Sequence, residues 1–272
     1  MPQRTSMIKP GRARVEMPAG TQAIQRASLL VRLIASRGRS GLRLAELVEH
    51  SGFTRPTVRR MLKCLVVEGM VMQEEASHRY FLGPLIFELG LAAAPQFNLR
   101  DICHPSVQRI ADRTGDTVFL SVRSGYDSVC IDRAEGSFPI KALTLDVGTR
   151  RPLGVGAGGM ALLMPLPEAA VADIVERNAP RFAAYKGLTA PALLRLLKRS
   201  RESGYALNDH HMTDGAVSMG MPIVNPFGDP FASISVGAIA SRMSAERRPE
   251  VAAALRTEVR QLARRLSETA TP

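Results

Sequence analysis

The chain is poor in the residues and runs that mark several protein classes. It carries only three cysteines, Cys64, Cys103 and Cys130, in 272 residues. They are too few and too scattered for a disulfide framework or a zinc site, so no metal is expected. No uninterrupted apolar run reaches transmembrane length. The opening stretch MPQRTSMIKPGRARVEMPAG lacks the apolar core of a signal peptide. The expectation is a reduced, cytoplasmic protein with no membrane partner. Catalytic signatures are missing too: there is no Walker pattern, no HExxH and no GxSxG. No nucleophile, base and orienting group fall into an arrangement that suggests catalysis, so no catalytic residue and no cofactor are expected.

What the chain does have is positive charge, unevenly placed. The formal net charge is +11. Residues 1–82 hold 14 Lys and Arg against 6 Asp and Glu, and the remainder 22 against 19, so the first part carries +8 and the rest +3. Clustered cations favour a polyanion, because neutralising phosphates releases counterions.

The charged region contains a patterned stretch, Leu44 to Leu82. Leu44 to Ser51 reads as a short helix closed by Gly52, which permits a left-handed turn. A second helix follows, on which Val58, Met61, Leu62, Leu65 and Val66 form one apolar stripe. Arg55, Arg59, Arg60 and Lys63 lie off that stripe. Thr54 is placed to cap the first turn, and Pro56 is tolerated there because first-turn amides lack helical partners. Val71 and its neighbours and Arg79–Leu82 make two β-like runs around a polar tip. This is a helix-turn-helix followed by a wing. The plainer alternative is a helical hairpin whose basic face is merely solvated, and the charge asymmetry argues against it.

The rest of the chain divides around this stretch. Residues 1–20 mix Pro, Gly and charge without period and are expected to be a disordered basic tail. Gln22 to Ser36 should be a helix packed under the motif, completing a three-helix winged domain over residues 21–83. Residues 84–98 are read as an apolar linker helix, whose Leu85, Ile86, Phe87, Leu89 and Leu91 suggest a buried contact. Residues 99–272 form a second domain. Its expected strands are Thr117–Arg123, Ser128–Arg133, Ile140–Leu145, Gly204–Leu207, Val217–Val224 and Phe231–Ala240, with helices at 99–114, 168–177, 191–203 and from 244 or 246 to 267. Strands in a mostly antiparallel sheet with flanking helices make an α+β fold.

Three features of the second domain bear on chemistry. Gly154-Val155-Gly156-Ala157-Gly158-Gly159 matches GxGxxG, but lacks the βαβ continuation and the later acidic residue of a dinucleotide site. A Gly-rich turn opening a helix fits a small carboxylate or a structural role better. His210 and His211, with Asp209 and Asp214, read as a solvated polar loop rather than a metal site. Ser218 and Ser235 fall on strands where they would share a sheet face and point into a cavity, or simply suit a tightly packed sheet.

Taken together, the segments QAIQRASLLVRLIA, GFTRPTVRRMLKCL, RYFLGPLIFELG, GTRRPL with GMALL, SRESGYALND and GMPIVNPFGDPFASISV resemble the IclR family of bacterial transcription regulators, over about Thr21 to Glu268. The resemblance implies a winged helix-turn-helix domain, a linker helix and a C-terminal GAF-like α/β effector-binding domain. It implies dimers, often assembled into tetramers, on a double-stranded DNA operator, and a small organic-acid effector, aromatic acids included, controlling a catabolic operon. It places DNA contacts at Arg55, Thr57, Arg59 and Arg60, with Lys63 beside them and Arg79 on the wing. It places the effector against Leu153, Gly156, Ala157, Met160, Asn208 or Asp209, Ser218, Ser235 and Gly237. The loop departs from the family's PLHxTAxGKA, with Gly154 for a His, Gly156 for a Thr and Met160 for a Lys. Losing a cation and a hydroxyl there leaves room for a bulkier or less polar ligand. Arg43 stands where a Ser or Thr usually caps the second helix, a loss of about 1 kcal/mol. Glu74 and Glu75 at the wing tip would repel phosphate. The competing expectation is an enzyme acting on a small acid, with an accessory helix-turn-helix domain.

Overall fold

In a computed structural model, residues 21–93, 99–142, 145–185, 187–208, 215–225 and 228–269 are described. The expected basic tail, the end of the linker and the cluster Asp209, His210, His211 and Asp214 lie outside them. The chain divides between Asn98 and Leu99 into two compact units.

The first unit is built on three helices: α1 (Gln22–Ala35), α2 (Leu44–Ser51) and α3 (Arg55–Val67). Each buries the apolar side that its spacing dictates, through Leu30 and Ile34, Leu47, and Val58, Leu62 and Leu65. Val66, expected on the α3 stripe, is exposed instead. Gly52 ends α2 with φ 70° and ψ 9°, the left-handed turn that lets α3 fold back. The caps differ from expectation. Thr54 accepts no backbone bond, and its Oγ1 lies 2.9 Å from Thr57 Oγ1. At α2 the carboxylate of Glu46 accepts the Arg43 amide at 2.8 Å, so the N-terminus keeps a partner despite the arginine at the cap.

The wing is β1 (Val71–Gln73) and β2 (Tyr80–Leu82), paired antiparallel. Leu42 bridges to Tyr80 on the far side through amide bonds of 3.1 and 2.8 Å. Helix α4 (Pro84–Ala93) follows, and it buries no side chain within its unit.

The second unit is a six-stranded sheet in the order β5-β4-β3-β8-β7-β6, antiparallel throughout. The strands are β3 (Thr117–Ser124), β4 (Asp127–Glu135), β5 (Arg150–Pro152), β6 (Ala206–Asn208), β7 (Ala216–Val224) and β8 (Pro230–Ile239). The expected strand at Ile140–Leu145 is not formed by its described residues; the edge strand is β5, further along. The helices are α5 (Leu99–Thr114), α6 (Gly156–Ala161), α7 (Glu168–Phe182), α8 (Ala190–Ser203) and α9 (Arg248–Thr269).

Strand alternation separates the sheet's two faces. Val118, Leu120, Met219, Met221, Ile234 and Val236 point to one side and form a core with α5 and α9. Phe119, Ser121, Ser218, Ser233, Ser235 and Gly237 occupy the intervening positions. Short helix α6 lies over that second face, with α7 and α8 outside it in a separate core. Small side chains on both sides let α6 approach closely: a Cβ on Gly220 would fall 2.8 Å from the Ala157 carbonyl oxygen.

Candidate functional site

The first candidate surface is the outward side of α3. With Val58, Leu62 and Leu65 buried, the helix turns Arg55, Arg59, Arg60 and Lys63 to solvent and leaves Thr57 half-buried. These four cations form no ion pair among the described residues. They are therefore available to phosphates and to the acceptor edges of bases.

Arg79 is placed differently. Its Nη1 donates to the carbonyls of Ser40 and Gly41, both at 3.1 Å, and lies 3.5 Å from a Glu46 carboxylate oxygen. Glu46 also holds the α2 N-terminus, and its carboxyl lies below the usual range chiefly through the Arg43 amide bond, with Arg79 adding to it. Arg79 thus ties the wing to the turn before α2. The wing tip offers little positive charge in compensation, since Glu74 and Glu75 are exposed there. Glu74 accepts the Ser77 hydroxyl at 2.5 Å.

The second candidate site is a cavity between the sheet and the turn that opens α6. Six of the expected effector residues line it: Gly156, Ala157, Asn208, Ser218, Ser235 and Gly237. Leu153 and Met160 do not. Leu153 is fully buried in the core with α7 and α8, and Met160 Sδ accepts the Ser200 hydroxyl at 3.3 Å. Gly154, with φ 94°, and Gly156, with φ 72°, bend the chain so that side chains on either side point toward that outer core. The lysine-to-methionine change at position 160 therefore falls outside the cavity. Nor does Gly154 open space for a larger ligand, because Leu193 Cδ2 lies 2.5 Å from where its Cβ would be. Asp209 is outside the described residues.

Sequence reasoning missed several lining residues: Phe119, Ser121, Ser128, Cys130, Thr149 and Arg151. Phe119, Ser121 and Ser235 share a face by simple alternation, because Phe119 pairs with Ser235 and Ser121 with Ser233. That signal was present in the sequence. Arg151 gave none, since β5 has only three residues.

The polar groups of the cavity wall are hydroxyls, a thiol, an amide, a guanidinium and backbone. Among the described lining residues there is no His, Asp or Glu to serve as a base beside the serines. Ser233 donates to the Gly158 carbonyl at 3.0 Å and so fixes α6 rather than facing a ligand. Burial pushes the Cys130 thiol up to about 11, which leaves it a neutral wall group at pH 7. Burial also lowers the Arg151 pKa from its ordinary value, as for a guanidinium drawn away from water.

Two family models account for most of the chain. The model described as the bacterial transcriptional regulator IclR C-terminal domain matches residues 91–264, and the IclR helix-turn-helix domain model matches residues 23–75. The chain is 27% identical over 240 residues to the HTH-type transcriptional repressor AllR of Salmonella typhi, covering 88% of each protein. It is 25% identical over 229 residues to the HTH-type transcriptional regulator KipR of Bacillus subtilis, covering 84% of this chain and 91% of that one. The crystal structure of an IclR transcriptional regulator from Alicyclobacillus acidocaldarius matches with a TM-score of 0.71 at 23% identity, covering 89% of this chain and 97% of that chain. The Thermotoga maritima IclR structure matches with a TM-score of 0.63 at 25% identity, covering 91% and 99%.

Proposed function

The chain belongs to the IclR family of bacterial transcriptional regulators and carries that family's helix-turn-helix DNA-binding domain, and on this premise we propose that it is a cytoplasmic sensor of a small organic acid. It grips a duplex operator through α3 and answers to an acid, aromatic ones included, held between α6 and the sheet. Its output is control of a catabolic operon.

The observation that carries the DNA-binding half is the two-sidedness of α3. Val58, Leu62 and Leu65 are consumed by the core, while Arg55, Arg59, Arg60 and Lys63 face outward. The N-terminal residues of such a helix enter the major groove, where an arginine pairs with guanine. Arg79 contributes mainly by fixing the wing. Exposed Phe87, Leu89 and Leu91 on α4 support pairing of two chains as a homodimer, with tetramers built from such pairs.

The effector half rests on the cavity. It encloses about 30 Å³, room for a water molecule or two. An acid entering it must therefore part α6 from the sheet. A ligand that favours the parted arrangement shifts the balance between two states, which is how a metabolite signal leaves the pocket.

The test is binding of duplex DNA from upstream of the protein's own gene, followed by fluorescence anisotropy across a range of salt. Tight binding with a steep loss of affinity as salt rises is expected. No binding at low ionic strength would overturn the proposal. The enzymatic alternative needs a base beside a cavity serine, and the described lining lends it no support; absence of turnover on small acids is the expected companion result.

A further inference from the structure

A second recess, of about 380 Å³, opens where the C-terminal half of α8, strand β6 and the first residue of α9 come together. Its size falls within the range of small-molecule sites, about 300–1,000 Å³. The cavity under α6 encloses about 30 Å³. Strand β6 borders both: Leu207 lines the recess and Asn208 the cavity, on opposite faces by strand alternation.

The polar groups of the recess divide by what they can offer a ligand. Arg199 on α8 and Arg248 at the start of α9 bring two guanidiniums. Arg199 is exposed, and its side chain makes no hydrogen bond or ion pair with another described residue. Arg248 spends its Nε on the Met243 carbonyl at 3.2 Å, and the exposed Glu246 carboxyl feels its charge. Its Nη atoms donate to no described residue, and the Tyr205 hydroxyl likewise has no described partner. On the accepting side, the Ser200 and Ser203 hydroxyls donate to the carbonyls of Leu196 at 2.7 Å and Arg199 at 2.9 Å. They therefore offer a ligand only lone pairs. Glu202 is the one carboxylate of the lining, and it pairs with nothing described. Leu196, Leu207 and the Tyr205 ring supply the apolar surface.

We propose that this recess is a second ligand site, for a phosphorylated sugar or polyol. Two guanidiniums from separate elements, with a phenol, suit a tetrahedral phosphate with three acceptor oxygens, whereas one guanidinium alone fills a planar carboxylate. The hydroxyls of the ligand's body meet the acceptors Ser203 and Glu202, and its C–H faces meet Leu196, Leu207 and Tyr205. A simple anion leaves those acceptors and apolar groups unused. An uncharged sugar leaves both cations unmatched. The site is separate from the cavity under α6 and does not depend on what that cavity holds.

The experiment uses the full chain and two esters with their parent sugars, glucose 6-phosphate with glucose and ribose 5-phosphate with ribose, beside inorganic phosphate. Thermal stabilisation is measured at low millimolar concentration and constant ionic strength for the unaltered protein and for Arg199→Gln, Arg199→Lys and Arg248→Gln. At least one ester should raise Tm more than inorganic phosphate does, and its parent sugar should not raise it. Arg199→Gln should keep the unliganded Tm, since that side chain bonds nothing described in the fold. It should weaken the ester by about tenfold, the low end for a hydrogen bond to a charged group. Arg199→Lys should recover part of the loss. Arg248→Gln, read against its own unliganded Tm, should weaken the ester likewise. Neither arginine lines the cavity under α6, so these losses assign the ester to the recess. If no ester exceeds inorganic phosphate, or if the parent sugar binds as well as its ester, the proposal is overturned. Unchanged ester affinity in either glutamine variant places the ester elsewhere and overturns it too.

Discussion

Ser233 donates its hydroxyl to the Gly158 carbonyl at 3.0 Å, across the seam where β8 meets α6. The bond joins the sheet to α6. Around it the seam is made of small groups: a Cβ on Gly158 would meet Ser235 Oγ at 3.3 Å, Ser233 Oγ at 3.4 Å and Ser121 Oγ at 3.5 Å.

Glycine at position 220 is therefore required by packing. Its added Cβ would fall 2.8 Å from the backbone oxygen of Ala157, which cannot rotate away. Gly220→Ala should destabilise the second unit by about 1–3 kcal/mol, the range for overpacking. Gly158→Ala should cost less, because the side-chain hydroxyls it meets lie at 3.3 to 3.5 Å rather than in hard overlap. Urea unfolding followed by circular dichroism should show that order.

On α3, Arg60→Ala should weaken duplex binding and reduce the slope of log affinity against log salt by about 1, if it contacts one phosphate. The same variant should leave the oligomeric state unchanged in gel filtration, because Arg60 is exposed and forms no ion pair among the described residues. An unchanged affinity would remove this face from the interface.

Arg79 should behave otherwise. Its bonds to the Ser40 and Gly41 carbonyls, and its contact with Glu46, are made without DNA. Arg79→Ala should lower the stability of the first unit by about 1 kcal/mol, given its partial exposure. Lysine should not restore it, since a single ammonium does not reproduce the fork. The check is a thermal melt of both variants in the absence of nucleic acid.

Arg109 clasps Glu258 at 3.0 and 2.6 Å, joining α5 to α9. Burial alone would raise the Glu258 carboxyl, but the bonds from Arg109 and Ser106 outweigh it and hold the group below its ordinary 4.5. Because the folded value is the lower one, the clasp stabilises fully above pH 4.5 and is lost as pH falls through the folded value. Glu258→Gln should flatten the acid side of the stability–pH curve while lowering the plateau at neutral pH.

Much of this architecture follows from periodicity. The helices α1 to α3 and the strands β3, β4, β7 and β8 announce themselves because one face of each is apolar, and burial enforces that face. β5 does not, since Arg150, Arg151 and Pro152 have no apolar alternation, and an edge strand so short is fixed by pairing with Asp127, Ser128 and Val129. The cavity was half anticipated for the same reason. Ser218 and Ser235 follow from strand alternation, whereas Gly237 came only with the family resemblance, and Leu153 and Met160 lie outside the cavity lining, with two positive-φ glycines between them. Arg79 was assigned by chemistry alone; its carbonyl partners at residues 40 and 41 are invisible until the wing closes on the helix turn.

Leu193 occupies the space that a side chain on Gly154 would need. With φ 94° at the glycine and Cδ2 of the leucine 2.5 Å from the missing Cβ, a side chain at 154 meets both a strained backbone and Leu193. A histidine at position 154 would need a displaced or smaller residue at 193 and a backbone that gives up its left-handed turn. A single substitution at position 154 therefore carries two penalties at once, one in the backbone and one against the outer core, which ties the identity of this loop residue to a helix some forty positions further along the chain.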